Sequence, residues 1–423
     1  MKRFLLICAF SVVALFSWSQ EIIRVMHYNL LNYDINTGGC NASNNNVNDK
    51  NVYLRTILEY VNPHIITVNE INCSVQTYDK LLDDCLDIYK PGLFERVEKT
   101  CPSNIALSNM IYYREDILSF HSQEVVSTNV RDINLIRLYY DAPDLGNTFD
   151  TVFLTCIIAH LKAGSDWDDE LERADETHRL MNFLDQSGYT GNMLFMGDFN
   201  VYDGSEQAFQ NVVNPDNTAF RFHDPIDKIG DWHNNSYFSP IHTQSTHTVQ
   251  NCFISGGMDD RFDFILISES IKNVENEVAY VEGSYRAIGQ DGQRFNKSLI
   301  ESPVNSSVPS VVLDALYNMS DHLPVMLDLA IGQGAGIFKA QSSNVFAVTN
   351  PVRDKISLRF SSPISEQEQL ILSTVTGSIL HIYSLEPGQE KVELPATSLD
   401  PGFYLIGIYS NRSLKAALRI VKL

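Results

Sequence analysis

The sequence has few basic residues for its length. It contains 31 lysines and arginines against 52 aspartates and glutamates, which gives a formal net charge of −21 over 423 residues. Lysine and arginine normally attract phosphate backbones, so this balance excludes a binding mode that relies on surplus basic charge. If the ligand is a phosphate ester, a bound divalent cation must reverse the local field.

Long hydrophobic runs are also scarce. The apolar run of residues 4–16 follows the basic start Met1-Lys2-Arg3 and precedes the small-residue pattern Ser17-Trp18-Ser19. This run is too short for a membrane span, and no later stretch approaches the required length. The three-part pattern instead predicts a secretory signal peptide over residues 1–19, with a mature chain that starts near Gln20 and has no transmembrane span.

Cysteine pairs with zinc-ligand spacing are missing, which argues against a zinc knuckle. One of the seven cysteines, Cys8, lies in the predicted signal peptide. Export would allow the other six to form disulfides, but their spacing leaves the connectivity open. Those six are Cys40, Cys73, Cys85, Cys101, Cys156 and Cys252.

The chain is long enough for a large domain and a smaller one. Apolar strands alternate with amphipathic segments over residues 20–331, which predicts an α/β or mixed α+β sandwich. The glycine-rich segment Gly332–Gly336 predicts a linker over residues 332–346. Short strands between turn signals over residues 347–423 predict a small β-sandwich of about immunoglobulin size.

The central stretch of the large domain is residues 192–200. Its apolar residues predict a strand buried on both faces, which Gly197 ends in a tight turn. Asp198 and Asn200 are two residues apart, so in an extended backbone their side chains leave on the same side. A carboxylate beside an amide can hold a cation and orient a phosphate oxygen or a water, although the same pair also suits ordinary turn hydrogen bonds.

Further polar residues follow or begin apolar strands, where a scaffold presents side chains rigidly into a cleft. Three carboxylates, those of Glu70, Asp198 and Asp321, could share one Mg²⁺, Mn²⁺ or Ca²⁺. Asp263 lies on an apolar strand face and needs a partner. The candidate partner is His322, and the alternatives are Arg261 or a backbone amide.

Six short motifs occur in order along residues 20–331. They are Asn29, Thr67-Val68-Asn69-Glu70, Ala159-His160-Leu161-Lys162, Met196-Gly197-Asp198-Phe199-Asn200, Arg261-Phe262-Asp263-Phe264-Ile265 and Ser320-Asp321-His322-Leu323-Pro324. Together they resemble the endonuclease/exonuclease/phosphatase superfamily. The resemblance implies an α+β fold, a four-layer α/β/β/α sandwich of two facing sheets with helices outside, and a metal-dependent phosphoric ester hydrolase.

The resemblance also implies a role for each site residue. The metal and its water shell would be bound by Asn29, Glu70 and Asp321, with Glu70 as the principal ligand. Asp198 would orient or deprotonate the water that attacks phosphorus in line, and Asn200 would hold the phosphate and Asp198. His322, tuned by Asp263, would stabilise the phosphorane-like charge, and His160 would act from the other side as an acid or phosphate ligand. Asn69 departs from the family pattern, which has a longer Gln there.

The C-terminal region resembles the sorting domain of the type IX secretion system. The matching features are Asn350-Pro351-Val352, Gly377, Leu399–Leu405 and the basic end of the chain. This resemblance implies passage through the periplasm and across the outer membrane, with the outer-membrane secretion machinery as a partner. The alternative is an immunoglobulin-like binding or spacer module.

We therefore predict a secreted divalent-metal-dependent phosphodiesterase, an extracellular nuclease acting on DNA or RNA. A first alternative keeps the chemistry but changes the substrate to a phospholipid or a small phosphate ester, which the net acidity favours. A second alternative is a catalytically silent secreted binding protein. The sequence leaves open the preferred metal, endo or exo action, and the oligomeric state.

Overall fold

A computed structural model describes most of the chain. The predicted signal peptide and residues 332–344 of the predicted linker lie outside the described residues, as do Asn350, Pro351 and Gly377 of the C-terminal motifs. The described ranges are 21–101, 106–142, 151–331, 345–348, 352–360, 363–365, 367–374, 379–400, 402–410 and 413–422.

Thirteen strands precede residue 332 in the described part of the chain. Most lie within a few residues of the segments whose apolar patterns predict them. In chain order they are β1 (Glu21–Tyr33), β2 (Ile65–Asn72), β3 (Phe94–Arg96), β4 (Leu107–Arg114), β5 (Leu118–Val126), β6 (Ile133–Tyr140), β7 (Phe153–His160), β8 (Met193–Asp198), β9 (Phe222–His223), β10 (Asp263–Ser268), β11 (Val278–Tyr280), β12 (Arg286–Ala287) and β13 (Val325–Ile331).

These strands form two mixed sheets. The first has the order β11-β13-β1-β2-β4-β3, with β12 also paired to β13, and the second has the order β5-β6-β7-β8-β10-β9. Within each sheet one central pair is parallel, β1 with β2 and β7 with β8. The neighbours of these pairs run antiparallel, including β13 beside β1 and β10 beside β8.

The α-helices of this region are amphipathic or short. Helix α1 begins at Val47, where the Asn46 side chain caps its N-terminus. The helices are α1 (Val47–Val61), α2 (Val75–Leu81), α3 (Asp87–Tyr89), α4 (Trp167–Ser187), α5 (Gln207–Val213), α6 (Glu269–Asn273) and α7 (Ser310–Met319).

The two sheets face each other across the main core. Strand β8 shows how side-chain alternation builds the layers, because Leu194 and Met196 point into the core shared with the first sheet. Met193 and Phe195 point the other way, into the cluster that includes Leu180 and neighbours from α4 and α5. Helices α1 and α7 contribute to the first core. The α+β class with mixed sheets is therefore confirmed.

The C-terminal strands form a three-stranded sheet, β14-β15-β18, and a four-stranded sheet, β17-β16-β19-β20. Both sheets contribute to one apolar cluster. The C-terminal boundary of the predicted linker lies too far along the chain, because Val345 and Phe346 already belong to β14. The immunoglobulin-like assignment stays a prediction. The strands are β14 (Val345–Val348), β15 (Lys355–Phe360), β16 (Glu368–Thr374), β17 (Ile379–Leu385), β18 (Lys391–Pro395), β19 (Gly402–Ser410) and β20 (Ser413–Lys422).

Two disulfides join distant parts of the large domain, Cys40 to Cys252 and Cys73 to Cys101. Cys85 and Cys156 are buried thiols. Among the described residues, no helix has both the length and the apolar character needed to cross a bilayer.

The structure corrects the predicted role of Gly197. It does not end β8 in a turn but lies inside the strand, opposite Ala159 of β7 and Phe264 of β10. A Cβ atom at this position would lie 1.9 Å from the carbonyl oxygen of Ala159. Glycine is therefore required by the close approach of two backbones, and this approach brings the ends of β7 and β8 together.

We expect Gly197→Ala to destabilise the protein by about 3 kcal/mol, the upper part of the usual range for overpacking, because the paired strands must separate to admit a methyl group. The control is Gly188→Ala, at a position with φ of 65° and no atom within 4 Å of the added Cβ. That control carries only the left-handed backbone cost of about 1–2 kcal/mol. Urea unfolding of both variants measures the difference, and equal losses of unfolding free energy would contradict the steric explanation.

Candidate active site

The residues predicted for the site lie at one edge of the facing sheets. Asn29 and Glu70 lie in the C-terminal halves of the parallel strands β1 and β2, and His160 and Asp198 end the parallel strands β7 and β8. Strands β10 and β13 run the opposite way, so they reach this edge with their N-terminal ends. Asp263 begins β10, and the pair Asp321-His322 comes just before β13.

Irregular backbone in β1 and β2 turns side chains toward this edge. The β1–β2 register shifts between Asn29 and Tyr33, and Glu70 has a left-handed φ of 56°. Leu31 and Asn32 are left-handed too, with φ of 47° and 50°. Non-glycine residues in this region cost on the order of 1–3 kcal/mol each and persist only where their surroundings hold them. Such bulges are common next to active sites because they re-aim a side chain.

Asn29 joins two of the carboxylates. Its Oδ1 accepts the Leu31 N–H at 2.9 Å, which leaves Nδ2 to face the acids. Nδ2 donates to Glu70 Oε1 at 3.1 Å and to Asp198 Oδ2 at 2.9 Å. One neutral amide therefore holds two acidic groups in the same small space.

His160 completes a compact cluster with those two acids. Its Nε2 lies 3.9 Å from Glu70 Oε1 and 3.6 Å from Asp198 Oδ2. One ligand atom from each of the three residues lies within 4.8 Å of the others. Carboxylate oxygens with one imidazole nitrogen form a donor set that suits a divalent cation.

Asp321 stands beside this cluster. Its Oδ2 accepts the Ile254 N–H at 2.8 Å, while its Oδ1 is buried with no hydrogen-bond partner in the described part of the chain. Burial raises the pKa of Asp321, and the nearby charge of Glu70 adds to this shift. A buried carboxylate oxygen without a partner is a further feature that fits a cation.

His322 pairs with Asp263. The ring Nδ1 lies 2.8 Å from Asp263 Oδ2, and Arg261, which the sequence offered as an alternative partner, binds Asp224 instead. Burial disfavours the charged imidazole, but the charges of Asp263 and Asp198 outweigh it and raise the pKa of His322 well above its usual value. His322 Nε2 lies 3.7 Å from Asp198 Oδ2, so the imidazolium faces the cluster.

Asp198 and His160 show opposite effects of burial. Burial raises the pKa of Asp198, and the carboxylates of Asp263 and Glu70 raise it further against the opposing effect of His322. Burial also lowers the pKa of His160 well below its usual value, with additional repulsion from Arg131 and His322. In the metal-free protein His160 is therefore a neutral imidazole beside a charged one.

Asn200 is placed differently from the expectation. Strand β8 ends at Asp198, and Asn200 adopts a left-handed φ of 50°, so the two side chains do not follow the alternation of an extended backbone. The Asn200 N–H donates to Asp198 Oδ1 at 3.1 Å, and its side-chain Nδ2 donates to the Leu161 carbonyl at 3.2 Å. Asn200 thus holds Asp198 through its backbone.

Asn69 supports the site although it is shorter than the family's Gln. Its Oδ1 accepts the Asp198 N–H at 2.8 Å, and its Nδ2 donates to Asn109 Oδ1 at 2.7 Å. The side chain therefore ties β2 to the end of β8 across the two sheets.

Three further residues near the site have no sequence motif. The Gln244 side-chain amide lies 2.7 Å from His322 Nε2. Buried Lys50 donates to the Leu31 carbonyl at 3.0 Å and to Asn45 Oδ1 at 2.8 Å, and burial lowers its pKa to about 7. His27 Nε2 lies 3.9 Å from Asp263 Oδ1. Of these three residues, only His27 could have been identified from the sequence, because the strand period of two places it on the same face as Asn29.

Two basic residues near the site, Arg131 and Lys162, are engaged in contacts within the protein. Arg131 donates to the carbonyls of His160 at 2.7 Å and Leu161 at 2.6 Å. Lys162 pairs with Asp169 at 2.5 Å. Arg131 thus shapes the site through its backbone contacts instead of presenting a free guanidinium.

We expect Asp263→Asn to lower the pKa of His322 toward the ordinary histidine value of about 6.5, because the variant removes the carboxylate bonded to Nδ1. Histidine NMR titration in the presence of a chelator measures this change. The control is Asp260→Asn, which removes the carboxylate bonded to His233 at 2.6 Å. A pKa of His322 that responds equally to both variants would show that Asp263 is not its main partner.

One comparison with known proteins identifies the family. A sequence model described as "Endonuclease/Exonuclease/phosphatase family" matches residues 26–322. The comparison with curated proteins produced no match. Similar solved structures include TDP2 of D. rerio complexed with single-strand DNA product, with 13% identity, coverage of 73% of this chain and 98% of the other, and a TM-score of 0.46.

A family protein from Bacteroides thetaiotaomicron has 14% identity, coverage of 75% and 98%, and a TM-score of 0.42. The human Nocturnin catalytic domain with bound sulfate has 11% identity, coverage of 74% and 98%, and a TM-score of 0.44. Because these identities and scores are low, the assignment rests on the family model, which matches more than half of the chain. The chain belongs to the endonuclease/exonuclease/phosphatase family and is a metal-dependent phosphoric ester hydrolase.

Proposed function

We propose that this protein is an exported phosphodiesterase that hydrolyses DNA or RNA with the help of one or more divalent cations. One observation carries the proposal: Glu70, Asp198, His160 and His322 come from distant segments and meet within hydrogen-bonding or near-contact distances at one sheet edge. The reaction is in-line attack of water on phosphorus, without a covalent enzyme intermediate.

Glu70 would be the principal residue that holds the cation, Mg²⁺, Mn²⁺ or Ca²⁺, with Asn29 and Asp321 beside it. When bound there, the ion would supply Lewis-acid polarisation of a phosphoryl oxygen and would neutralise charge in an otherwise acidic site. Asn29 keeps Glu70 and Asp198 in a fixed relation through its two hydrogen bonds. This arrangement explains how a protein of net charge −21 can accept an anionic substrate.

Asp198 orients the attacking water and takes up its proton. Asn200 and Asn69 hold it in different ways: the Asn200 backbone N–H donates to Asp198 Oδ1, and the Asn69 side-chain Oδ1 accepts the Asp198 backbone N–H. The first contact limits the rotation of the carboxylate, and the second fixes the backbone that carries it. A base held in one orientation contributes to the rate because the reacting geometry is formed before substrate arrives.

His322 stabilises the negative charge that develops on the phosphoryl oxygens. Its imidazolium is held by Asp263 and faces Asp198, so its outer nitrogen points toward the place where a scissile phosphate would lie. His160 contacts the phosphate from the side of Glu70. Preorganised donors of this kind commonly contribute about 10²–10³ in rate.

Export is supported by sequence and by the disulfides. The start of the chain has the pattern of a signal peptide, and Cys40–Cys252 and Cys73–Cys101 are bonds that form and persist in oxidising compartments. We propose that the C-terminal β-rich unit is a sorting domain recognised by the type IX outer-membrane secretion machinery. The protein would then act at the cell surface or in the surrounding medium.

A second candidate substrate class is the phospholipids and small phosphate esters. It is favoured by the engagement of Arg131 and Lys162 in internal contacts and by the net acidity, since a long polyanion gains affinity from free basic side chains. A panel of DNA, RNA, sphingomyelin, phosphoinositides and bis-p-nitrophenyl phosphate separates the two candidates.

Chelation tests the shared chemistry. We expect hydrolysis of the preferred substrate to stop after thorough treatment with EDTA and to return when Mg²⁺ or Mn²⁺ is added, because the acidic cluster has too little positive charge to hold phosphate by itself. Initial rates before chelation, after it and after metal addition measure the effect. Full activity in the chelated protein would contradict the mechanism.

We expect Glu70→Gln and His322→Ala each to reduce kcat/KM by at least about a hundredfold, because one removes the charge that holds the cation and the other removes a charged donor. The control is Glu282→Gln, which changes a carboxylate in the segment between β11 and β12. Each variant is compared with the wild type by steady-state kinetics at saturating Mg²⁺. Losses below tenfold for both site variants would place the reaction elsewhere, whereas a wild type that hydrolyses no substrate of the panel would favour a silent binding protein.

A further inference from the structure

Two loops reach the acidic cluster from different parts of the sequence. The first loop, residues 34–46, follows β1, and the second loop, residues 247–257, precedes the segment that leads to β10. A backbone N–H in or next to each loop donates a hydrogen bond to one of the site carboxylates. The bond that joins the two loops is the disulfide between Cys40 and Cys252.

The first loop supports Glu70 through Asn32. The Asn32 N–H donates to Glu70 Oε2 at 3.1 Å, and the Asn32 side-chain Nδ2 contacts Cys40 Sγ at 3.3 Å. Asn45, at the end of this loop, donates to the carbonyls of Leu31 and Asn32, both at 3.1 Å. These contacts hold the left-handed Leu31-Asn32 segment in the conformation that aims the N–H at Glu70.

The second loop supports Asp321 through Ile254. The Ile254 N–H donates to Asp321 Oδ2 at 2.8 Å, and Ile254 is only two residues beyond Cys252. The Ile254 carbonyl accepts a hydrogen bond from the Ser245 hydroxyl, which fixes the next peptide group of the loop. The position of Asp321 Oδ2 therefore depends on the path of this loop.

The junction between the loops is small and buried. Cys40 and Cys252 are 4% and 5% exposed, and they form an apolar cluster with Leu31 and Phe253. A hydrogen bond from Asn44 Nδ2 to Asn251 Oδ1, at 3.0 Å, lies beside the disulfide. The disulfide spans a sequence separation of 212 residues, so local sequence does not keep these loops together without it.

We propose that the Cys40–Cys252 disulfide positions the metal site by fixing the distance between the carboxylates of Glu70 and Asp321. This inference rests on the proposed function, in which these carboxylates hold a divalent cation. Like charges repel in the metal-free protein, and the covalent link keeps the loops from moving apart under that repulsion. Cys40 and Cys252 are then positioning residues, since neither touches the substrate or the cation.

The test measures binding of Mn²⁺ alone to the full chain by isothermal titration calorimetry, with no substrate present. The variant is Cys40→Ala with Cys252→Ala, and the control is Cys73→Ala with Cys101→Ala. The control removes the disulfide that lies against the hydroxyl of Tyr78, so it also removes one cross-link from the domain.

We expect the Kd for Mn²⁺ to rise about tenfold in the Cys40/Cys252 variant and to stay within twofold of the wild type in the control, as is typical when support of a metal ligand is lost. Turnover at saturating Mn²⁺ should recover to within about threefold, which a general loss of folding would not allow. An unchanged Kd, or an equal rise in both variants, would overturn the inference.

Ile254→Pro provides a second test, because it removes the N–H that Asp321 accepts and leaves both cysteines in place. If the Cys40/Cys252 variant does not fold, this substitution decides: a raised Kd supports the inference and an unchanged Kd overturns it. Mn²⁺ binding by the wild type distinguishes a failure of the proposed function from a failure of the disulfide's proposed role. No Mn²⁺ binding by the wild type contradicts the proposed function itself, whereas binding that the variants do not alter contradicts the disulfide's role alone.

Discussion

The structure depends on the enforced proximity of Glu70 and Asp198. Both acids accept hydrogen bonds from the single amide of Asn29, and the buried carboxylates of Asp263 and Asp321 lie close enough to add to the negative potential. Carboxylates in a protein interior repel each other unless protons, hydrogen bonds or a cation compensate. The nearby positive charges of Arg131 and His322 compensate only in part, and burial lowers the pKa of Lys50 to about 7, which weakens its contribution. A divalent cation therefore suits the electrostatics of the site as well as its reaction.

Strand direction explains how residues so distant in sequence share this site. In each sheet a parallel pair ends at the same edge, and antiparallel neighbours return to that edge with their first residues. Gly197 lets β7 and β8 approach closely at this end, and bulges in β1 and β2 turn Glu70 inward. The rigid part of the scaffold is the apolar interior between the sheets, where each fully buried large aliphatic or aromatic side chain contributes about 1.5–3 kcal/mol. That interior holds left-handed residues that would be unfavourable in an isolated strand.

The two histidines have different electrostatic surroundings although both are buried. His322 has Asp263 on one side and Asp198 on the other, so its pKa is raised, whereas His160 faces Arg131 and the charged His322, and its pKa is lowered. One edge of the fold thus places a charged imidazole and a neutral one near the same carboxylate, that of Asp198. Pairs of titratable residues whose surroundings shift them in opposite directions often divide acid, base and binding roles between them. The arrangement fits hydrolysis of a phosphoric ester, in which charge must be stabilised on one side and a water held on the other.

The sequence by itself determined the buried strand before Asp198, the α+β class and the identity of the acids and histidines, because strand alternation and short polar motifs are local patterns. It also indicated His322 as a partner for Asp263, because a carboxylate on an apolar strand face needs one. Only the tertiary structure decided the positions of Gln244 and Lys50, the left-handed turn at Asn200, the place of Gly197 inside β8 and the pairing of Cys40 with Cys252. These features depend on contacts between segments far apart in the chain. The residue pattern within a single segment does not encode such contacts, because they form only when the two sheets pack face to face.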